Sequence, residues 1–204
     1  MSTMGKVPRW IVAALPALLA VSAVRAAKEP ALLDEDASGA YEVTDESRLT
    51  IEKVQGEIDI VAGVQGKIWY KSEYGGETKS PLPVAVWLET GGFRIVPPEG
   101  ARVVPGVLQV WVPPGMRVVL KLDGAVIGVS GIDGAVEVQG QKDRLDATGI
   151  GGSLAVQLEG GSVNVSQATS DVAVRGHDLA TTVKGVGGAV VLSVSGGSVT
   201  VGDA

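Results

Sequence analysis

The chain has 204 residues, a net charge of −6, one histidine and no cysteine. The composition excludes disulfides and thiol chemistry, and an acidic chain without a basic run is a poor candidate for a nucleic-acid partner. One histidine leaves little material for a metal centre, and none of the G-x-S-x-G, G-x-x-x-x-G-K-[ST] or H-E-x-x-H motifs occurs. We therefore expect no catalytic residue, no metal ligand and no cofactor.

Residues 1–26 are typical of a secretory signal peptide. Lys6 and Arg9 precede an apolar run from residue 10 to 24, and Val24-Arg25-Ala26 offers small residues at a cleavage site. The run is shorter than the ~20 residues that span a bilayer, so we expect no membrane span after cleavage, with a retained anchor as the alternative. The segment carries three positive charges and no acid, so its removal changes the net charge from −6 to −9. The sequence thus predicts export, to the periplasm or to the cell surface and beyond.

Residues 27–40 have little pattern and are predicted to form a flexible leader. From residue 41 to 123, short apolar alternation predicts the strands of irregular coils, interrupted by polar loops at 73–83 and 97–105. The segments "QGEIDI" and "QGKIWY" begin ten residues apart and are interpreted as two early coils. No linker divides residues 41–204, which are predicted to form one domain. Its strand faces upstream of residue 124 are Leu49/Ile51, Ile58/Ile60, Ile68/Tyr70, Val84/Val86/Leu88, Leu108/Val110/Val112 and Val118/Leu120/Leu122.

From residue 124 to 204 the chain follows a nine-residue repeat. Eight blocks begin at residues 134, 143, 152, 161, 170, 179, 188 and 197 without an insertion. The third and fifth positions of the blocks are apolar except for Thr181, whereas the fourth position is mixed. Because alternate residues of a strand face the same side, each block predicts a short strand with one buried face, as at Val163, and one exposed face, as at Asn164.

A longer period is superimposed on the blocks. The eighth residue is apolar in alternate blocks, as at Ile150 and Ala168, and polar in the blocks between, as at Glu159 and His177. We therefore predict an all-β fold, a single-stranded β-solenoid or β-helix with about 18 residues per turn and two nine-residue sides. Gly-Gly pairs at 151–152, 160–161, 187–188 and 196–197 are predicted to form corners, where glycine adopts positive φ without a steric penalty.

The glycine repeat does not fit a calcium-binding coil. Such a coil requires G-G-x-G-x-D-x-U-x, because its turns bring aspartate oxygens to the ion. In "GGSVNV", Val163 occupies the position of the third glycine and Val165 that of the aspartate. The glycine pairs are therefore interpreted as structural corners.

Three pieces of the chain resemble a bacterial adhesin domain family of unknown function, related in style to the head domains of auto-transporter adhesins. They are "RLTIEKVQGEIDIVAG", "LQVWVPPGMRVVLKLDG" and the following run of G-x-V-x-V coils, together covering roughly residues 41–201. The strand that ends in Val-Pro and is followed by Gly is the most specific piece. The resemblance implies a fold similar to a β-helix and assigns no catalytic residue. The family's Ser-Gly-Asp corners are mostly Gly-Ala or Gly-Ser here, with Ser170-Asp171 as the closest match.

Enzymatic β-helices use clustered carboxylates, which the repeat does not predict. Glu137 and Asp146 recur at the outward position, but they lie nine residues apart and hence on different sides of an 18-residue turn. His177 falls at an outward, polar position. We expect all three to be ordinary surface residues and the protein to be no enzyme. A β-helix polysaccharide-active enzyme is the weaker alternative.

Trp69, Trp87 and Trp111 form the candidate partner-binding surface. Each lies between two apolar residues, so that the indole faces outward if those neighbours are buried. Exposed tryptophan is enriched in sites for proteins and glycans; the competing interpretation, which we favour from the sequence, is that the leader or a long loop covers the rings. The predicted role is an exported, adhesin-like interaction module that binds a protein or a glycan, with a self-stacking structural protein of the envelope as the alternative.

The last block predicts an open coil edge at the C-terminal end of the repeat. Open strand edges pair with other chains unless they are blocked. Asp203 and the terminal carboxylate stand close to this edge in the sequence. We therefore expect a monomer or weak self-association through the C-terminal coil edge.

Overall fold

The computed structural model describes residues 31–44, 46–75, 81–101 and 105–202. The predicted signal peptide, residues 1–26, lies outside these ranges. Within them the chain is all β, with no helix, and therefore with no helix that could cross a membrane. The strands are β1 (Ala31–Asp36), β2 (Ser38–Glu42), β3 (Arg48–Glu52), β4 (Gly56–Ala62), β5 (Lys67–Tyr74), β6 (Val84–Glu89), β7 (Gly92–Val96), β8 (Gly106–Val112), β9 (Arg117–Asp123), β10 (Val126–Ser130), β11 (Val136–Thr148), β12 (Leu154–Ala168), β13 (Val172–Val186) and β14 (Val190–Gly202).

The four long strands β11 to β14 stack in parallel, in chain order. Each residue pairs with the equivalent residue two blocks further along: Leu145 with Val163, and Val163 with Thr181. Each long strand contains two of the nine-residue blocks. This pairing brings identical block positions into one column, so the apolar third and fifth positions of successive strands pack on one another.

All 14 strands belong to one open, curled sheet that divides at β11. The first half of β11 pairs with β9, and from there the sheet continues through β3, β7 and β6 to β1; we call this the first arm. The second half of β11 pairs with β10, and from there the sheet continues through β4, β8 and β5 to β2; we call this the second arm. The two arms place chain segments that are distant in sequence side by side.

Two predictions for the upstream half are wrong. Residues 31–40, predicted as part of a leader without regular structure, form β1 and part of β2, which pair antiparallel with β6 and β5. The segment "QGKIWY" is not an early coil, because β5 runs antiparallel to β8, whereas β4, which contains "GEIDI", runs parallel to β8 and β10. Short strands at the end of a sheet gain their hydrogen bonds from a distant partner, and this partner leaves no local pattern in the sequence.

One apolar core runs from β3 to β13, and the nine-residue alternation positions it as predicted. Val163 is 1% exposed and Asn164 is exposed. Fully burying a side chain such as valine stabilises a fold by about 1.5–3 kcal/mol, so each buried column of the repeat contributes substantially to the core. The columns lose their cover in β14, where Val199 and Val201 are about half exposed.

Two series of corners each recur once in every second block, but only two of the four Gly-Gly pairs use positive φ. One corner series is Lys142, Gly160, Asp178 and Gly196, and the other is Gly131, Gly149, Gln167 and Gly185, all with φ between 51° and 74°. Gly161 and Gly197 are also left-handed, whereas the pairs 151–152 and 187–188 are not. At Gly152 a Cβ atom would overlap the backbone of Gly134. At these two pairs, glycine is therefore required because the neighbouring strand approaches closely.

Candidate functional site

Two of the three candidate tryptophans meet on the second arm. Trp69 lies in β5 and Trp111 in β8, and the two residues are direct partners in the antiparallel pair. Both strands alternate around the tryptophans, with Ile68 and Tyr70 buried on either side of Trp69 and Val110 and Val112 on either side of Trp111. Since successive side chains of a strand point to opposite faces, both indoles lie on the outer face.

The two rings are in direct contact. Their centroids are 4.1 Å apart, with 32° between the ring planes. Trp69 is 43% exposed and Trp111 is half-buried. Contact between aromatic rings contributes about 0.5–1.5 kcal/mol beyond the burial of area. Trp111 therefore restrains Trp69 while leaving much of its indole open to solvent.

Trp87 does not join this pair. It lies in β6, on the first arm, where β1 and β7 are the neighbouring strands. Its ring is half-buried, with the Arg94 guanidinium carbon 5.7 Å from its centroid. Arg94 in turn bonds Glu89 through Nε at 2.5 Å and lies 3.9 Å from Glu52. Trp87 thus belongs to a cation–π and salt-bridge cluster, and the expectation of up to three indoles in one patch reduces to a pair.

A row of polar side chains, which sequence reasoning missed, lies one step along the strands from the tryptophan pair. Successive strands of the second arm align these residues, because the pairings run from Lys71 to Gln109, to Asp59, to Gly128, to Asp146 and to Asn164. We call Lys71, Gln109, Asp59, Asp146 and Asn164 the polar row. None of its side chains is buried, and together they offer amide, carboxylate and ammonium groups.

Gly128 leaves a gap inside the polar row. A Cβ atom at this position would lie 2.6 Å from Asp59 Oδ1, so the Asp59 carboxylate extends over the glycine toward Asp146. Asn164 Nδ2 donates to Asp146 Oδ1 at 3.2 Å. The sequence pattern does mark residue 128 as an outward position, but only the pairing of β4 with β10 shows which side chain uses the space.

On the first arm, polar residues of β9, β11 and β12 line an open groove with a volume of 410 Å³. Asp123 and Glu159 lie in one row of this groove, on either side of Gln141. Neighbouring strands are about 4.8 Å apart, so the Cα atoms of the two acids are separated by roughly twice that distance. The other lining residues are Lys53, Lys121, Leu122, Gln139, Gly140 and Gln157.

Asp143 is a buried carboxylic acid beside the groove. It is fully buried; its Oδ1 atom accepts from the Ala125 N–H at 2.7 Å, and its Oδ2 atom has no hydrogen-bond partner in the described part of the chain. Burial raises the pKa of Asp143, with a smaller contribution in the same direction from Asp123, against the lowering effect of the bond from Ala125. A Cβ atom on Gly140 would overlap Oδ2, so this glycine makes room for the acid. Asp143 is therefore a buried group that faces the protein interior and is not a surface ligand.

The three residues that the sequence analysis weighed for acid–base chemistry, His177, Glu137 and Asp146, do not come together. His177 is exposed, with Nδ1 3.0 Å from Ser195 Oγ and Nε2 3.3 Å from Asp178. Glu137 accepts from Arg117 at 3.1 Å on the first arm, whereas Asp146 lies on the second arm. Over the described ranges, no three His, Cys, Asp or Glu residues are grouped so as to hold a metal ion.

Comparison with known proteins finds similarity only among solved structures. No protein-family model and no curated protein matches the chain. The chain is similar to the crystal structure of a "putative cell adhesion protein" from Clostridium sporogenes, with 11% identity and a TM-score of 0.42 over 83% of this chain and 100% of the other. It is also similar to that of a "putative adhesin" from Bacteroides fragilis, with 12% identity and a TM-score of 0.30 over 88% of this chain and 99% of the other.

Proposed function

We propose that the protein is an exported, non-enzymatic interaction module of the adhesin type, built as a β-solenoid with two nine-residue sides per turn. The constant offset of two blocks between paired positions of β11 to β14 supports the solenoid. The charged start, apolar run and small-residue cleavage site of residues 1–26 support export to the periplasm or the cell surface.

The observation that carries the proposal is the exposed contact pair of Trp69 and Trp111 beside the polar row. A sugar ring presents apolar C–H faces and a rim of hydroxyl groups, and a protein binds it best with an aromatic ring beside hydrogen-bonding side chains. Trp69 supplies the ring, and Gln109 and Asp59, which follow in the neighbouring row, supply a donor and acceptors. The chemistry on the second arm therefore favours a glycan over a protein partner.

The charge of the chain narrows the class of glycan. The net charge is −6, and Asp59 and Asp146 both belong to the polar row. An acidic surface repels anionic polysaccharides. The proposed ligand is accordingly a neutral glycan whose sugar face rests on the indole of Trp69. Because Trp111 already restrains that indole, binding loses less side-chain entropy than it would at an isolated tryptophan.

The test replaces Trp69 with alanine and uses Trp87→Ala as the matched control. Binding of the purified protein to immobilised neutral and acidic polysaccharides is measured, and circular dichroism checks that both variants remain folded. Loss of a stacking contact of about 1.4 kcal/mol predicts a roughly tenfold weaker affinity for Trp69→Ala. We expect Trp87→Ala to bind neutral glycans like the parent.

Three results would contradict the proposal. Unchanged glycan binding by folded Trp69→Ala would exclude the tryptophan pair, and loss of binding only in Trp87→Ala would move the site to the first arm. Absence of binding to any polysaccharide, together with saturable capture of a protein that Trp69→Ala fails to capture, would replace the glycan by a protein partner.

A polysaccharide-active enzyme is the second candidate, because the groove of the first arm holds Asp123 and Glu159 in one row. Glycoside hydrolysis uses two carboxyl groups up to about 9.5 Å apart, and side chains whose Cα atoms are about two strand spacings apart can place their carboxyl groups at such a distance. Release of reducing sugar ends by the parent, but not by Asp123→Asn or Glu159→Gln, would establish this activity. Equal release by the parent and both variants would assign any hydrolysis to a contaminant.

A further inference from the structure

The C-terminal strand β14 leaves one side of its backbone unpaired. Among the described strands it pairs only with β13. The N–H of Val172 in β13 donates to the carbonyl of Ala189 at 2.9 Å, toward the next strand of the stack. Val190 holds the equivalent position in β14 by the same register. Its N–H therefore points to the free edge, and so do those of every second residue after it in the first half of the strand.

The apolar columns end open at this strand. Val199 and Val201 are 48% and 51% exposed, whereas their partners in β13, Thr181 and Val183, are buried. In the first half of β14, Val190, Leu192 and Val194 pack against the core but remain partly exposed. An open backbone edge and an open apolar column thus occur on the same strand.

The edges of the sheet differ in how they resist pairing. Natural proteins protect edge strands with charges, prolines, bulges or short length. β14 contains no charged residue and no proline over its 13 residues. By contrast, β1 is the edge strand of the first arm; it contains Asp34, Glu35 and Asp36 in succession and has a register shift against β6. The edge strand of the second arm, β2, is short and ends in Glu42. Among the described edges, β14 alone contains neither a charged residue nor a proline, and its one interruption is the corner at Gly196 and Gly197.

We propose that a second copy of this chain covers the β14 edge, with the two β14 strands paired antiparallel around a two-fold axis. A charged partner would find no opposite charge on β14. A second β14 offers the same unpaired backbone groups and the same exposed apolar side chains, and it brings no charge to the contact. Head-to-tail stacking would instead bring the acidic sequence of β1 to this edge. The two-fold contact is isologous and closed, so it yields a dimer and not a filament. This inference is independent of the glycan-binding surface on the second arm.

Solution mass measured by sedimentation equilibrium over a range of concentrations tests the dimer. We expect a species of twice the chain mass. Val199→Lys places a charge in the half-exposed column at the edge and should weaken dimerisation by at least about tenfold. Val64→Lys makes the same change at a residue that is 74% exposed in the loop between β4 and β5, and it should leave the dimer intact. Circular dichroism establishes that each variant is folded.

Spin labels distinguish the end-to-end geometries. The chain lacks cysteine, so Thr200→Cys labels β14 alone and Asp36→Cys labels β1 alone. The two-fold dimer predicts strong dipolar coupling between labels in Thr200→Cys and none in Asp36→Cys. A strict monomer at high concentration, a dimer that persists in folded Val199→Lys, or coupling only in a mixture of the two labelled proteins would each overturn the proposal.

Discussion

Replacing Val163 with aspartate is the most direct test of the nine-residue register. Val163 lies in β12 with a side chain that is 1% exposed, between Leu145 of β11 and Thr181 of β13 in the same inward column. The introduced carboxyl would replace a valine whose burial contributes about 1.5–3 kcal/mol. The Thr181 hydroxyl is the one polar side chain among its two column partners. One such bond leaves most of the desolvation cost of a carboxylate unmet.

We expect Val163→Asp to lower the free energy of unfolding by several kcal/mol, a large fraction of the roughly 5–15 kcal/mol typical of a domain. Burial raises the pKa of the introduced carboxyl above its unfolded value. The destabilisation is therefore smallest below about pH 4 and grows as the pH rises. Urea unfolding followed by tryptophan fluorescence and by circular dichroism measures the change at several pH values.

The adjacent residue provides the control. Asn164 is exposed and donates to Asp146. Asn164→Asp replaces this bond with two neighbouring acids, which costs about 0.2–1 kcal/mol on the surface of a sheet. If Val163→Asp unfolded at the same urea concentration as the parent, or if Asn164→Asp were the more damaging change, the assignment of inward and outward positions would be refuted.

Three further predictions address the interior and the corners. Thr181→Val removes a buried hydroxyl that has no hydrogen-bond partner in the described part of the chain. It should stabilise the protein by about 1 kcal/mol, as measured by thermal unfolding. A lower melting temperature would mean that the hydroxyl is hydrogen-bonded. Gly161→Ala should lower the free energy of unfolding several times more than Gly160→Ala. Both glycines have positive φ, but only at residue 161 would the new Cβ atom overlap the Asp143 carbonyl. Equal melting temperatures of the two variants would contradict this corner geometry. Asp143→Asn should become progressively more stable relative to the parent as the pH rises above 3.8, since burial raises the pKa of Asp143 and its ionisation disfavours the folded state. A stability difference independent of pH would show that folding does not raise the pKa of Asp143.

The repeat illustrates what local pattern determines. Alternation along a strand is a property of neighbouring residues, and a nine-residue period repeated without insertion brings the same phase into every block. The sequence alone therefore predicts an all-β fold and the burial of residues such as Val163 and Val165, as the structure confirms. The same phase argument correctly places Trp69 and Trp111 on the outer face of their strands.

What local pattern did not determine is which strands are neighbours. Trp69 meets Trp111 because β5 runs antiparallel to β8, although β6 and β7 lie between them in sequence. Asp59 reaches over Gly128 because β4 pairs with β10, from which it is separated in sequence by β5 to β9. The exposure of Val199 and Val201 also depends on tertiary structure. The block pattern of β14 matches that of β13, but the apolar columns are exposed at β14 because no described strand packs on its far side. Adjacent residues determine which side chains of a strand face inward. Which strands pair is determined by long-range packing and hydrogen bonding, which form only when the whole sheet assembles.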